Sequence, residues 1–128
     1  MTNPFLQEGN EPDGTIFVYV QLPGVIWPEE REALYGQPLD AELRLAGIGY
    51  VSGGGTMQGA PDEAGNCPIL FCSVDVDTID VDAARGLLRD HLPELGCPPG
   101  TTIQWEDFQD RFDGEHWHIA EQRSAEKE

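Results

Sequence analysis

The stretch Ile69–Leu95, ILFCSVDVDTIDVDAARGLLRDHLPEL, decides the fold, because its hydrophobic period changes midway. Over Ile69–Asp77 the period is two. Leu70, Cys72, Val74 and Val76 share one face of a strand, and Ile69, Phe71, Ser73, Asp75 and Asp77 share the other. Over Asp80–Leu95 the period becomes helical. Val81, Ala84, Leu87 or Leu88, Leu92 and Leu95 form a stripe, with Arg85, Arg89 and Asp90 on the opposite side. Asp80 is placed to cap this helix, Pro93 to limit its last turn and Gly96 to close it.

Outward from this core, Ile48–Gln58 (IGYVSGGGTMQ) reads as the hairpin partner of 69–77, joined to it by the loop Gly59–Asn66. Its glycines mark a bulge or a close backbone approach, typical of an edge strand. Before it, Pro28–Ala46 reads as a helix interrupted at Gly36 and Pro38 and stopped by Gly47. Glu29, Glu30 and Glu32 suit the positive end of its dipole. Thr15–Leu22 (TIFVYVQL) is β-branched and aromatic, apolar on both sides at its centre, hence a central strand ended by Pro23-Gly24. Thr101–Trp105 returns as a strand, and Asp113-Gly114 signals a hairpin leading to a short strand over Glu115–Ala120. The expectation is an α+β single domain with ferredoxin-like order βαββαβ. It has an antiparallel sheet, two helices on one face and a C-terminal hairpin. Residues 1–13 are expected to be a flexible lead-in and 121–128 a frayed tail.

Charge narrows the partner class. The chain holds 24 Asp and Glu against 7 Lys and Arg, a net charge of −17 over 128 residues, and its only lysine is Lys127. Such a surface repels nucleic acid and anionic membrane, and attracts basic proteins. The start MTNPFLQEGNEPDG has neither a basic n-region nor an apolar h-region, and no apolar run would span a bilayer. Three irregularly spaced cysteines, Cys67, Cys72 and Cys97, read as free thiols. A cytoplasmic location follows as an expectation.

The motifs that resemble chemistry fail on inspection. GIGYVSGGGTMQG lacks the lysine and spacing of a phosphate loop and leads into a strand, which leaves an edge strand or a surface for strand addition. Asp75, Asp77, Asp80 and Asp82 resemble a calcium loop, but the sixth and twelfth positions hold Asp80 and Gly86 rather than Gly and Glu. His116 and His118 would share one side of a strand, with Asp113 or Glu115 beside them, yet they fall short of a zinc ligand set. No nucleophile signature surrounds Ser52, Ser73 or the cysteines. No cofactor, metal or catalytic residue is expected.

The punctuation L-P-G after the first strand, G-I-G-Y-V-S-G-G-G-T, V-D-V-D and L-P-E-L-G-C-P-P-G-T resembles small bacterial ferredoxin-like proteins, some of immunity-protein type, over residues 15–105. The resemblance implies no catalytic residues. The function expected is a non-enzymatic acidic binding protein of immunity or inhibitor type, docking on a basic protein such as a toxin or an enzyme. Its expected contacts are Glu29, Glu30, Asp75, Asp77, Trp105, Glu106, Asp107 and Trp117. Core or hairpin packing is the structural alternative for both tryptophans. The competing function is a small-molecule or metal-binding module, or a minor enzyme, using the open sheet face or the His116/His118 region; a deep pocket lined by Tyr19, Tyr50, Phe71 or Trp105 would favour it, and a filled, flat face would favour partner binding.

Overall fold

The computed structural model describes residues 3–6, 9, 11–12, 14–24 and 26–123. It is an α+β protein whose six strands form one antiparallel sheet. The strands are β1 (Ile16–Pro23), β2 (Gly49–Gln58), β3 (Ile69–Thr78), β4 (Thr102–Trp105), β5 (Phe108–Phe112) and β6 (Trp117–Gln122). Their order across the sheet is β2-β3-β1-β4-β5-β6. The connection from β1 to β2 is helical and leaves room for β3 between them; the connection from β3 to β4 is helical and spans β1.

Val18, Val20 and Leu22 of β1, Cys72, Val74 and Val76 of β3, Ile103 of β4 and Phe112 of β5 form the sheet's contribution to the core. Leu39 and Leu43 of α2 (Gln37–Ala46) and Ala84, Leu88 and Leu92 of α3 (Val81–Glu94) cover them in one cluster. Both helices therefore bury their apolar stripes on the same sheet face. Asp80 accepts a hydrogen bond from Ala83 N–H at 3.1 Å and caps α3 as expected. Gly96, at φ +91°, follows the end of that helix.

Four expectations are corrected. The helix from Pro28 does not break at Gly36 and Pro38. It runs as α1 (Pro28–Arg31), a π-helical turn (Glu32–Gly36) and α2. Pro38 lacks an N–H and its ring crowds the preceding turn. One i→i+5 bond, from Gln37 N–H to Glu32 O, widens the helix just before it. Second, β1 is central, but only one of its faces is covered: Phe17 is 50% exposed on the other.

Third, the lead-in is anchored. Phe5 is fully buried within a short 3-10 turn (Pro4–Leu6), its ring 6.2 Å from that of Tyr50. The Asn3 amide donates to Arg44 O at 2.7 Å, Arg44 donates to Phe5 O at 2.6 Å, and Arg44 meets the Glu11 carboxylate at 2.9 Å. Fourth, Glu121 and Gln122 are not tail but strand, paired with Gln109 and Phe108. The rest of that expected tail, 124–128, lies outside the described residues.

Arg85 and Arg89, placed off the apolar stripe of α3, reach the sheet extension. Asp110 of β5 points to the helix side and is completely buried. Arg85 grips both its oxygens at 2.9 Å, Arg89 donates at 2.8 Å, and Ala120 N–H of β6 donates at 2.9 Å. Burial opposes ionisation of Asp110, but these donors outweigh it and hold the carboxyl below its usual range. A depressed carboxyl stabilises the fold above its unfolded value of about 3.9, and this contribution is lost as the pH falls through the folded value.

Two outcomes are expected from urea unfolding. Asp110→Asn should cost about 3 kcal/mol at neutral pH, since it leaves Arg85 and Arg89 under-paired. The gap to wild type should narrow as the pH falls below the carboxylate range; a gap that stays constant would show that Asp110 is not held ionised. Phe5→Ala should cost about 2 kcal/mol, less than the roughly 3–5 of a central phenylalanine because the segment can detach locally. A loss below about 0.5 kcal/mol, the noise of neutral surface changes, would show that the segment is undocked in solution.

Candidate functional site

The sheet face away from the helices is uncovered among the described residues. The register fixes what it carries. Asp75 lies opposite Tyr19, Asp77 opposite Phe17 and Tyr50, Ser73 opposite Gln21 and Gly55, and Gln104 opposite Tyr19. Cross-strand partners share a face, so one surface presents aromatic rings beside two half-buried carboxylates. Phe17 and Tyr19 lie with ring centroids 6.2 Å apart. A cleft of about 390 Å³ opens beside them, lined by Gln21, Gln104, Glu106 and Arg123 among others. Gln104 donates to Gln21 at 3.1 Å and to Thr102 at 2.9 Å, which fixes the polar floor. A smaller hollow of about 160 Å³ lies between Tyr19, Met57 and Phe71.

Asp75 carries the least comfortable charge on this surface. Burial raises its pKa, the like charge of Asp77 raises it further, and Arg31 offsets part of this. Its carboxylate accepts no hydrogen bond from a described residue, whereas Asp77 lies 3.3 Å from the Thr15 hydroxyl. A cation brought to this face would relieve both carboxylates.

The expected contact residues fall in separate places. Glu29 and Glu30 are exposed on α1, in the helix layer, and Glu30 is occupied in accepting the Trp27 N–H at 3.1 Å. Asp75 and Asp77 stand on the open face. Glu106 and Asp107 are exposed in the two-residue β4–β5 turn, where Glu106 has φ 51°.

The two tryptophans pack against the core and carry their alternative, structural role. The Arg85 guanidinium lies 3.8 Å from the Trp105 ring centre. Trp117 stacks 5.1 Å from Phe112 and donates its indole N–H to Arg89 O at 3.2 Å. The eight residues therefore do not converge on one surface. The sequence reading named Tyr19 and Phe71 only as pocket lining for the competing small-molecule function, and it missed Phe17 as an open-face aromatic. The available signal was the helix count: two helices expected on one face leave the other bare.

The pairing of positive groups is the second property of the surface. All six arginines are engaged within the chain. Arg31 meets Glu32, Arg44 meets Asp40 and Glu11, and Arg85 and Arg89 meet Asp110. Arg111 meets Glu121, and Arg123 donates to Glu106 O. The Arg111 and Gln109 side chains together hold Glu121 down to about 2. By contrast, the carboxylates of Glu29, Asp75, Asp90, Glu106, Asp107 and Glu115 make no ion pair with any described residue.

His116 lies in the turn before β6 rather than beside His118 on a strand. His118 sits 2.8 Å from Asp113, whose carboxyl is pulled down chiefly by the His116 and Glu115 backbone N–H groups. Among the described residues no group of three or more His, Cys, Asp or Glu side chains is placed to hold a metal ion. Cys72 and Cys97 are buried and Cys67 is exposed, all as free thiols; burial raises the pKa of Cys72 and Cys97 and leaves them poor nucleophiles. No described helix is long and apolar enough to cross a membrane.

No protein-family model, curated protein or solved structure matches the chain.

Chelation provides a check on this reading of the acidic run and the histidines. Treatment with EDTA should leave the melting temperature unchanged, because structural metal binding would contribute directly to folding free energy. A drop that zinc or calcium restores would contradict the assignment of these residues to turns and caps.

Proposed function

We propose that this chain is a non-enzymatic acidic binding protein of immunity or inhibitor type that docks on a basic protein. One observation carries the proposal: every arginine is consumed by contacts within the chain, so the net charge of −17 is displayed by unpaired surface acids. Potential of one sign over a surface steers an oppositely charged partner and raises its association rate. The contact surface is the open sheet face. Asp75 and Asp77 supply the charge there, and Phe17 and Tyr19 supply apolar area for an anchor. The elements β1 to β4 are read as a ferredoxin-like core. Their stretch of the sheet, β2-β3-β1-β4, and the two helical connections support this, with β5 and β6 added beside β4. A cytoplasmic location goes with this reading. Such folds host enzymes and binding modules alike, so the function rests on the surface rather than on the fold.

A second reading rests on the 390 Å³ cleft beside Tyr19, whose aromatic wall and paired Gln21 and Gln104 amides suit a small planar ligand. It differs in what it requires of charge, since a ligand in this cleft would be indifferent to Asp75 and Asp77.

The test is binding kinetics with the basic partner recovered from native extract, across a salt series. Asp75→Lys/Asp77→Lys should slow association by about tenfold or more at low salt, while Phe17→Ala should mainly speed dissociation. Glu29→Lys/Glu30→Lys, on the helix side, should change association less. Charge reversal on the open face that leaves the association rate untouched would reduce the acidity to a solubilising role and end this reading.

A further inference from the structure

The outer edge of β2 is unlike the rest of the sheet boundary. At its start the edge is closed. Asp40 of α2 reaches across and accepts the Val51 N–H at 2.9 Å, and a bulge at Ser52 breaks the register. From Gly53 to Gln58 this protection stops; the pairing slips once more between Met57 and Gln58, but the skipped residue, Leu70, lies on β3 and not on the outer strand. The sequence GGGTMQ carries no charge and no proline, and the described backbone there makes no hydrogen bond to any element beyond the sheet. Native edges of this kind are normally blunted by Lys, Pro or a bulge, because unpaired N–H and C=O groups accept another strand. The opposite edge does not offer the same template. In β6, Ala120 adopts φ 57° and the pairing slips between Gln109 and Arg111, so its edge is bent.

The three glycines differ in what they leave open. A Cβ on Gly54 would fall 2.5 Å from the backbone Ser73 O of β3 and 3.0 Å from the Arg31 side chain, so that position is closed to a side chain. A Cβ on Gly53 would stand 3.7 Å from the Asp75 carboxylate, and one on Gly55 3.6 Å from the Ser73 hydroxyl, both ordinary contacts. Neither glycine needs a left-handed backbone. Their lack of side chains is thus not imposed by sterics. It opens a window on the sheet's bare face, through which the poorly satisfied Asp75 is reached from beyond the edge. Strands lie about 4.8 Å apart, so a residue opposite Gly53 on an added strand sits two spacings from β3, within reach of a long side chain crossing a glycine.

We propose that an extended segment of the basic partner adds to β2 along Gly53–Gln58 as a seventh strand, with a Lys or Arg passing over Gly53 to Asp75. This rests on the basic-partner reading and names how the partner is held. Charge decides the occupant. A second copy of this chain would bring another −17 to the same edge and set Asp75 and Asp77 of both copies near one another, whereas a basic strand neutralises them. Main-chain hydrogen bonds would supply affinity, and the alternate side chains specificity.

The experiment uses the full chain and two short capped peptides that alternate lysine with threonine. One has an ordinary backbone; in the other alternate peptide nitrogens are methylated, so that charge is kept and main-chain donors are lost. Amide NMR follows binding. The expected result is that the ordinary peptide shifts and protects amides of Gly53–Gln58, and that methylation weakens it by about tenfold or more. Gly53→Val/Gly55→Val should fold with an unchanged or higher melting temperature yet bind about tenfold more weakly, because the window is filled. Asp75→Asn should weaken binding in the same direction.

Equal binding of the two peptides, with shifts spread over the acidic surface, would overturn strand addition while leaving the basic-partner reading standing. Absence of binding by either peptide would overturn the edge as a site for a basic strand, and the kinetic test with the recovered partner would still judge the broader reading. Concentration-dependent dimerisation abolished by Gly55→Lys would show that a second copy is the occupant and overturn the choice made here.

Discussion

The buried carboxylate of Asp110 is the interaction on which the rest of the molecule depends. It lies under α3 on β5, two residues from Phe112, which joins the core cluster with Leu88 and Leu92. Arg85, Arg89 and the Ala120 N–H converge on it within 2.8–2.9 Å, tying one helix to both added strands. Breaking such a group by removing one partner is costly, yet replacing the whole set by apolar residues is often neutral. Its value is therefore positional. It decides that β5 and β6 continue the sheet beside β4, and it places the Arg85 guanidinium over Trp105 and the Arg89 carbonyl beside Trp117.

The same geometry explains the surface. A chain with so few cations, and with a buried carboxylate to satisfy, spends two arginines on Asp110 and another on the Arg44 cluster that fixes Phe5 and α2. Arg111 is committed to Glu121. What remains outside is acidic. Internal pairing of the arginines leaves Arg31 as the one that partly offsets the charge of Asp75 on the open sheet face. At that face the rings of Phe17 and Tyr19 lie beside Asp75 and Asp77, and the glycines of β2 leave the edge uncovered.

Much of the fold was legible in the sequence, for a physical reason. The two-residue period of 69–77 and the helical period of 81–95 reflect burial on one face, so α3 emerges with the right cap and β3 with the right core face from Cys72 to Val76; Leu70, before the slip in pairing, is exposed instead. The glycines at 53–55 mark the edge that β2 occupies. The misses share another cause. FQDRF was expected only as the unnamed partner of the Asp113-Gly114 hairpin, which forms; its own pattern is weak, because the charged Asp110 at an inward position breaks the hydrophobic alternation. The Glu106-Asp107 turn before it carries no glycine to announce a hairpin. Arg85 and Arg89 look like a solvated helix face until Asp110 is known to lie beneath them. Phe5 is a single aromatic in a polar lead-in, and only the tertiary contacts of Arg44 and Tyr50 reveal that it docks. Of the candidate site, Asp75 and Asp77 were legible as the outward positions of a strand. Trp105 and Trp117 were not, because large aromatic side chains serve a core and an interface equally well.

The central claim, that the arginines are committed to contacts within the chain while Asp75 on the open face is left poorly satisfied, is tested most directly by site-resolved NMR titration of the side-chain carboxyls. Asp110 is expected to titrate below the ordinary aspartate value of about 3.9 and Asp75 above it, with Glu121 near 2. Titration of Asp110 and Asp75 together at the ordinary value would contradict it, because Asp110 would then lack its arginines and Asp75 would carry no charge in need of a partner.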